Sequence, residues 1–153
     1  MAKTIKVKNP VLPEKEDTFL TSKYTSGAAL TVKDVEGWAA NDIAVVGHPG
    51  DEQAEGKRVD NVSANFTLNL TGALKHTHAV DQPVYRSDYD QISLERKPSG
   101  GSFAEIAEGK FNIEWDERDG FSKVPVAAGV DADTYRWRFY NTGTLLYSDY
   151  SGE

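Results

Sequence analysis

The 153-residue chain has no cysteine, one methionine and three histidines, and nowhere carries an apolar run long enough to cross a bilayer as a helix. Without Cys there is no disulfide, no thiolate nucleophile and no Cys-based zinc site, and the redox compartment stays open. Signatures of common chemistries are missing too: no G-x-S-x-G elbow, no phosphate-cradling glycine loop and no HExxH. The expectation is therefore a protein that is not an enzyme, with no catalytic residue, no metal and no cofactor. Positive charge is in the minority, 17 Lys+Arg against 24 Asp+Glu, for a net charge of −7 and a pI near 5.0. Such a surface repels phosphate, so neither nucleic acid nor an anionic membrane is an expected partner. The stretch from Met1 to Leu20 is charged throughout and has no apolar h-region, which predicts synthesis and folding in a cytosol.

What the sequence has in abundance is alternation. Ile5 and Val7, Leu30 and Val32, residues 65–70, 91–95, 111–115 and 135–139 all place apolar side chains at every second position. That is the period of half-buried strands. Ile43–Val46 is a short continuous apolar run. Connectors such as Gly47-His-Pro-Gly50, Lys97-Pro-Ser-Gly-Gly101, Arg118-Asp-Gly120 and Asn141-Thr-Gly143 supply tight reversals. Short strands at this spacing predict an all-β protein, built as a sandwich or small barrels. Asn61, Asn65 and Asn69 match the glycosylation pattern, but their spacing fits a polar strand face in a chain with no visible secretory route.

Three segments are expected: 1–28 as an N-terminal strand and extended arm, 29–86 as a small barrel and 87–153 as a second module. The arm holds two prolines and a charge cluster with little to bury. Lys3, Lys6 and Lys8 concentrate positive charge against the acidic average and are candidate partner-binding residues, although edge lysines also discourage unwanted strand pairing. Tyr147 and Tyr150 are the other candidates. They sit in a terminal strand, Leu145–Tyr150, that either closes a sandwich or presents a tyrosine patch to a subunit or a glycan. Trp38, Trp115 and Trp137 read as core or half-core residues. His76 and His78 with Asp81 are a weak metal pattern beside loop histidines. Asp88 with Asp90, and Asp131 with Asp133, lack the glycine and glutamate of a calcium hand and read as turn and cap residues.

From Leu30 to Tyr85 the succession LTV, GW, ND, VG, TLNL and PVY resembles a small β-barrel module of bacteriophage virion proteins. The resemblance implies that Trp38 plugs the barrel, that Asn41-Asp42 turns the chain and that Phe66, Leu68 and Leu70 form a core-facing strand. From Asp90 to Ser151, QISLER, SFAEIAE, FNIEWDER and TYRWRFYN resemble the C to G strands of an immunoglobulin or fibronectin III-like sandwich, with Tyr135 as its corner tyrosine. The first strands of that pattern have no counterpart, so the N-terminal segment, the barrel or another subunit must complete the sheet. In this order the two patterns resemble small structural proteins of tailed phages. They imply a virion component synthesised in the bacterial cytoplasm: most simply a decoration or cement protein on the outer head, bound to the major capsid protein or other virion subunits and self-associating on the particle. A neck or tail ring adaptor and a carbohydrate-binding module are the alternatives.

Overall fold

The computed structural model describes residues 2–13 and 16–151, and the chain is all-β. The described residues form twelve strands: β1 (Lys3–Lys8), β2 (Thr18–Phe19), β3 (Ala29–Thr31), β4 (Ile43–Val46), β5 (Glu55–Ser63), β6 (Thr67–Leu70), β7 (Pro83–Ser87), β8 (Gln91–Lys97), β9 (Ala104–Glu105), β10 (Phe111–Asn112), β11 (Phe121–Val126) and β12 (Thr134–Tyr140).

Six of them, in the order β2-β7-β4-β5-β6-β3, form a sheet that curls until its edges meet. A bridge between Leu20 and Val32 ties those edges together. Thr21 N–H donates to the Thr31 carbonyl and Lys33 N–H to the Phe19 carbonyl, both at 3.0 Å. Closure of this kind removes the sheet's open edges. Leu20, Leu30, Val32, Ala44, Val46, Val59, Leu68 and Val84 fill the interior, and Trp38 is buried among them.

The rest of the chain packs as two layers. One is the antiparallel pair β1-β11. The other has β8 at its centre, with β12 on one side and β9 and β10 on the other. Val7, Val124 and Val126 meet Ile92, Leu94, Ile113 and Trp115 between them, and Tyr135, Trp137 and Phe139 pack against that core. The two halves share strands. On β4, Ala44 and Val46 point into the barrel while Ile43 and Val45 belong to the second core, and on β7 Val84 and Tyr85 divide in the same way. The continuous apolar run 43–46 is thus a strand buried on both faces. Asn141 pins the seam, its Nδ2 donating to the carbonyls of Asn41 (2.7 Å) and Asp88 (2.9 Å).

Three expectations need correction. Within segment 1–28 the N-terminal strand is β1, which supplies Val7 to the sandwich core, but the part that follows is not an arm with little to bury: Leu20 and Tyr24 lie in the barrel core. Glu14 and Lys15, part of its charge cluster, fall outside the described residues. Phe66 does not face the core; it caps the β5–β6 turn at φ 57° and is 54% exposed, while Leu68 and Leu70 are buried as expected. The C-terminal stretch from Leu145 to Tyr150 is not a regular strand, because serine hydroxyls take the place of carbonyls in its pairing with β12.

Candidate interaction surface

β12 reads Thr-Tyr-Arg-Trp-Arg-Phe-Tyr, and its alternation sends Tyr135, Trp137 and Phe139 inward and Arg136, Arg138 and Tyr140 outward. After β12 the chain reverses on an Asx turn. Asn141 Oδ1 accepts the N–H groups of Gly143 (2.8 Å) and Thr144 (3.0 Å), and Leu145 adopts the left-handed region at φ 61°. Residues 147–151 then return along β12. Ser148 N–H donates to the Phe139 carbonyl (2.9 Å) and Ser151 N–H to that of Trp137 (2.7 Å). The reciprocal bonds, from Phe139 N–H and Trp137 N–H, go to the hydroxyls of Ser148 (2.8 Å) and Ser151 (3.0 Å) instead of to carbonyls. Serine side chains thus replace half of a ladder, which is why this segment covers the β12 edge without being a strand.

The turn lays Tyr147 and Tyr150 over the outward arginines. The Arg138 guanidinium lies 3.7 Å from the Tyr147 ring centre and 4.4 Å from that of Tyr150. Arg136 lies 3.9 Å from Tyr150 and 4.2 Å from Phe103. Lys110 Nζ approaches Tyr140 (4.9 Å) and Tyr147 (5.6 Å), continuing the alternation of cation and ring. Beneath the stack, Glu95 is buried and accepts from Arg136 Nε (3.2 Å) and Nη2 (3.3 Å). Arg138 Nε is buried with no hydrogen-bond partner among the described residues. Beside the stack, Leu145 and Leu146 are 64% and 65% exposed, while each tyrosine keeps 38% of its surface exposed.

The electrostatics follow from this geometry. Burial pushes the Glu95 carboxyl up, but the Tyr150 hydroxyl, the hydrogen-bonded Arg136 and the charge of Arg138 together hold it below its ordinary value. The bond to Glu95, with burial, pushes the Tyr150 hydroxyl up. Elsewhere the Arg96 bond holds Asp133 low against burial, the Ala127 N–H lowers Glu108 and the Phe121 N–H lowers Asp119. Each of these carboxyls has a folded pKa below its unfolded one, so on acidification the unfolded chain takes up protons first. Their stabilisation is complete above the unfolded carboxylate range and is lost as pH falls through the folded values. The expected result is a urea midpoint that is flat from about pH 7 to about pH 5 and falls steadily below about pH 4. A midpoint that held or rose on acidification would contradict it.

The structure does not bring the five candidate residues together. Lys3, Lys6 and Lys8 lie on β1 in one layer of the sandwich; Tyr147 and Tyr150 lie on the outer face of the other. Lys3 is paired with Asp131 and Lys6 Nζ lies 3.3 Å from Asp119. Arg136, Arg138, Phe103, Lys110 and Glu95 also belong to the tyrosine surface, although none of them is a candidate from the sequence. The sequence signal is an acid, Glu95, in one alternating run and arginines in another; their pairing as Arg136 opposite Glu95 appears only in the structure.

Of the weaker patterns, His78 is buried with Nε2 3.0 Å from Glu55 Oε2, and the Glu55 carboxylate also accepts Lys75 N–H (2.6 Å) and His76 N–H (2.8 Å). Asp81 occupies a turn at φ 70°. Asp133 accepts Val130 N–H (2.8 Å) within a local turn, whereas Asp90 accepts Thr142 N–H (3.0 Å) from 52 residues along the chain, a tertiary tie. Comparison with family models, curated proteins and solved structures finds no match to the chain.

Proposed function

We propose that the chain is a non-enzymatic structural protein of a bacteriophage particle that binds the outer surface of the head as a decoration protein. The observation that carries this reading is the arginine and tyrosine face bordered by exposed Leu145 and Leu146. Arg and Tyr are the side chains most enriched at binding hot spots, and an apolar rim beside them is surface that a partner can desolvate. The acidic balance of the chain suits the outside of a shell better than its DNA-filled interior. Contacts that exist only in the assembled lattice stabilise that lattice by linkage, and a protein that spans neighbouring subunits multiplies them through effective concentration. No chemical step is required.

The test is quantitative proteomics on purified particles, combined with heat release of packaged DNA. Many copies per head, and earlier DNA release from heads that lack the protein, are the expected results. A count matching a single ring would assign it to the neck or tail. Absence from the particle, with binding of glycans by the isolated chain, would replace the proposal with a carbohydrate-binding role. The combined change Arg138→Ala and Leu146→Asp is expected to reduce head binding by about tenfold or more, the cost of losing hot-spot contacts.

A further inference from the structure

The two edges of the β1-β11 pair are treated in opposite ways. Register pairs Val7 with Ser122, Ile5 with Val124 and Lys3 with Val126, and Asn9 N–H continues the ladder to the Gly120 carbonyl at 2.9 Å. In an antiparallel pair the alternate residues turn their N–H and C=O away from the partner. On β11 these are Phe121, Lys123 and Pro125, followed in the same phase by Ala127. None offers a free N–H: Phe121 N–H donates to Asp119 (3.1 Å), Lys123 N–H to Glu114 (2.7 Å) and Ala127 N–H to Glu108 (2.6 Å), while Pro125 has no N–H. On β1 the outward residues are Thr4, Lys6 and Lys8. All three are exposed, and their backbone N–H groups meet no acceptor among the described residues.

We infer that the outer edge of β1 is a strand-addition site that takes an extended acidic segment of a partner protein. An edge with free donors and acceptors is a template for pairing. Lysine side chains normally discourage such pairing between like strands, and here they select the occupant. Lys6 and Lys8 share the outer face of β1, so a second copy of β1 would set lysine against lysine there, whereas carboxylates at alternate positions of an incoming strand would meet them favourably. The inference rests on reading the chain as a docking protein and gives that reading a second contact, on the sandwich layer opposite the tyrosines.

The test uses the full chain and two synthetic peptides, Glu-Val-Glu-Val-Glu-Val-Glu and its lysine counterpart, with amide hydrogen exchange as the readout. In the free protein the Thr4, Lys6 and Lys8 amides are expected to exchange without protection. With the acidic peptide at ten times its Kd they should slow by about tenfold, the factor one plus concentration over Kd, and the lysine peptide should have no effect. Lys6→Pro removes an outward N–H but no ladder bond, as Pro125 already does on β11, and is expected to abolish that protection at Thr4 and Lys8 with an unchanged circular dichroism spectrum. Lys6→Gln should retain part of it. Protection that is absent with the acidic peptide, or that survives Lys6→Pro, would overturn the inference. Protection that grows with protein concentration alone would overturn it in favour of a second copy. No particle enters this assay, so its failure is distinct from absence of the protein from heads.

Discussion

Deletion of Met1–Lys8 is expected to unfold the protein at ambient temperature instead of trimming a dispensable arm. Among the described residues β1 is the only strand paired with β11, and it inserts Val7, fully buried, and Ile5, partly buried, between the two layers. Burying a Val or Ile side chain contributes about 1.5–3 kcal/mol. Losing two of them, and uncovering Val124 and Val126 on the orphaned β11, takes away an amount comparable with the about 5–15 kcal/mol that holds a domain together. The barrel is not insulated from this loss, because Ile43, Val45 and Tyr85 of its shared strands lie in the affected core. One cooperative collapse is therefore expected, read as loss of near-ultraviolet circular dichroism and of dispersed amide resonances. A truncated chain with a urea midpoint equivalent to within about 1 kcal/mol of the full chain would show that β1 is only adsorbed on the sandwich.

Strands with alternation were legible because their faces differ. Residues 91–95 and 135–139 are flanked by core on one side and by polar groups on the other, and the structure has β8 and β12 there. β5 was not legible. Glu-Gly-Lys-Arg-Val-Asp-Asn-Val-Ser is the longest strand of the barrel, yet Val59 is its only fully buried residue and a bulge between Val59 and Asn61 breaks its register. Its order comes from neighbours on both sides, β4 and β6, and not from its own pattern. β11 was hidden by Pro125, which reads as a strand breaker until its outward, unpaired position is known. The site divides along the same line. Tyr147 and Tyr150 were visible as an aromatic excess near the C-terminus, whereas their placement over Arg136 and Arg138 depends on a turn closed by Asn141 and on serine hydroxyls standing in for carbonyls. Those are tertiary arrangements of residues that the sequence pattern assigns to a connector, 141–143, and to a regular terminal strand, 145–150.

Trp115→Ala is expected to cost about 3–5 kcal/mol, the range for removing a large buried aromatic. Its indole is buried where the barrel meets the sandwich, within the core that also holds Ile43 and Ile113, and its carbonyl accepts Gly50 N–H at 2.8 Å. Gly56 on β5 makes room for it: a Cβ there would stand 2.6 Å from the indole Nε1 and 2.8 Å from Cδ1, well inside contact. Gly56→Ala alone should therefore force the ring aside and cost about 1–3 kcal/mol, as overpacking does. The two substitutions answer each other, because the methyl that Gly56→Ala adds enters space that the missing indole vacates. Denaturation of the double variant is expected to show less destabilisation than the sum of the singles, with a coupling of about 1 kcal/mol or more. Additive effects would mean that Trp115 does not rest on Gly56 in solution and that the seam between the two cores is closed by other residues.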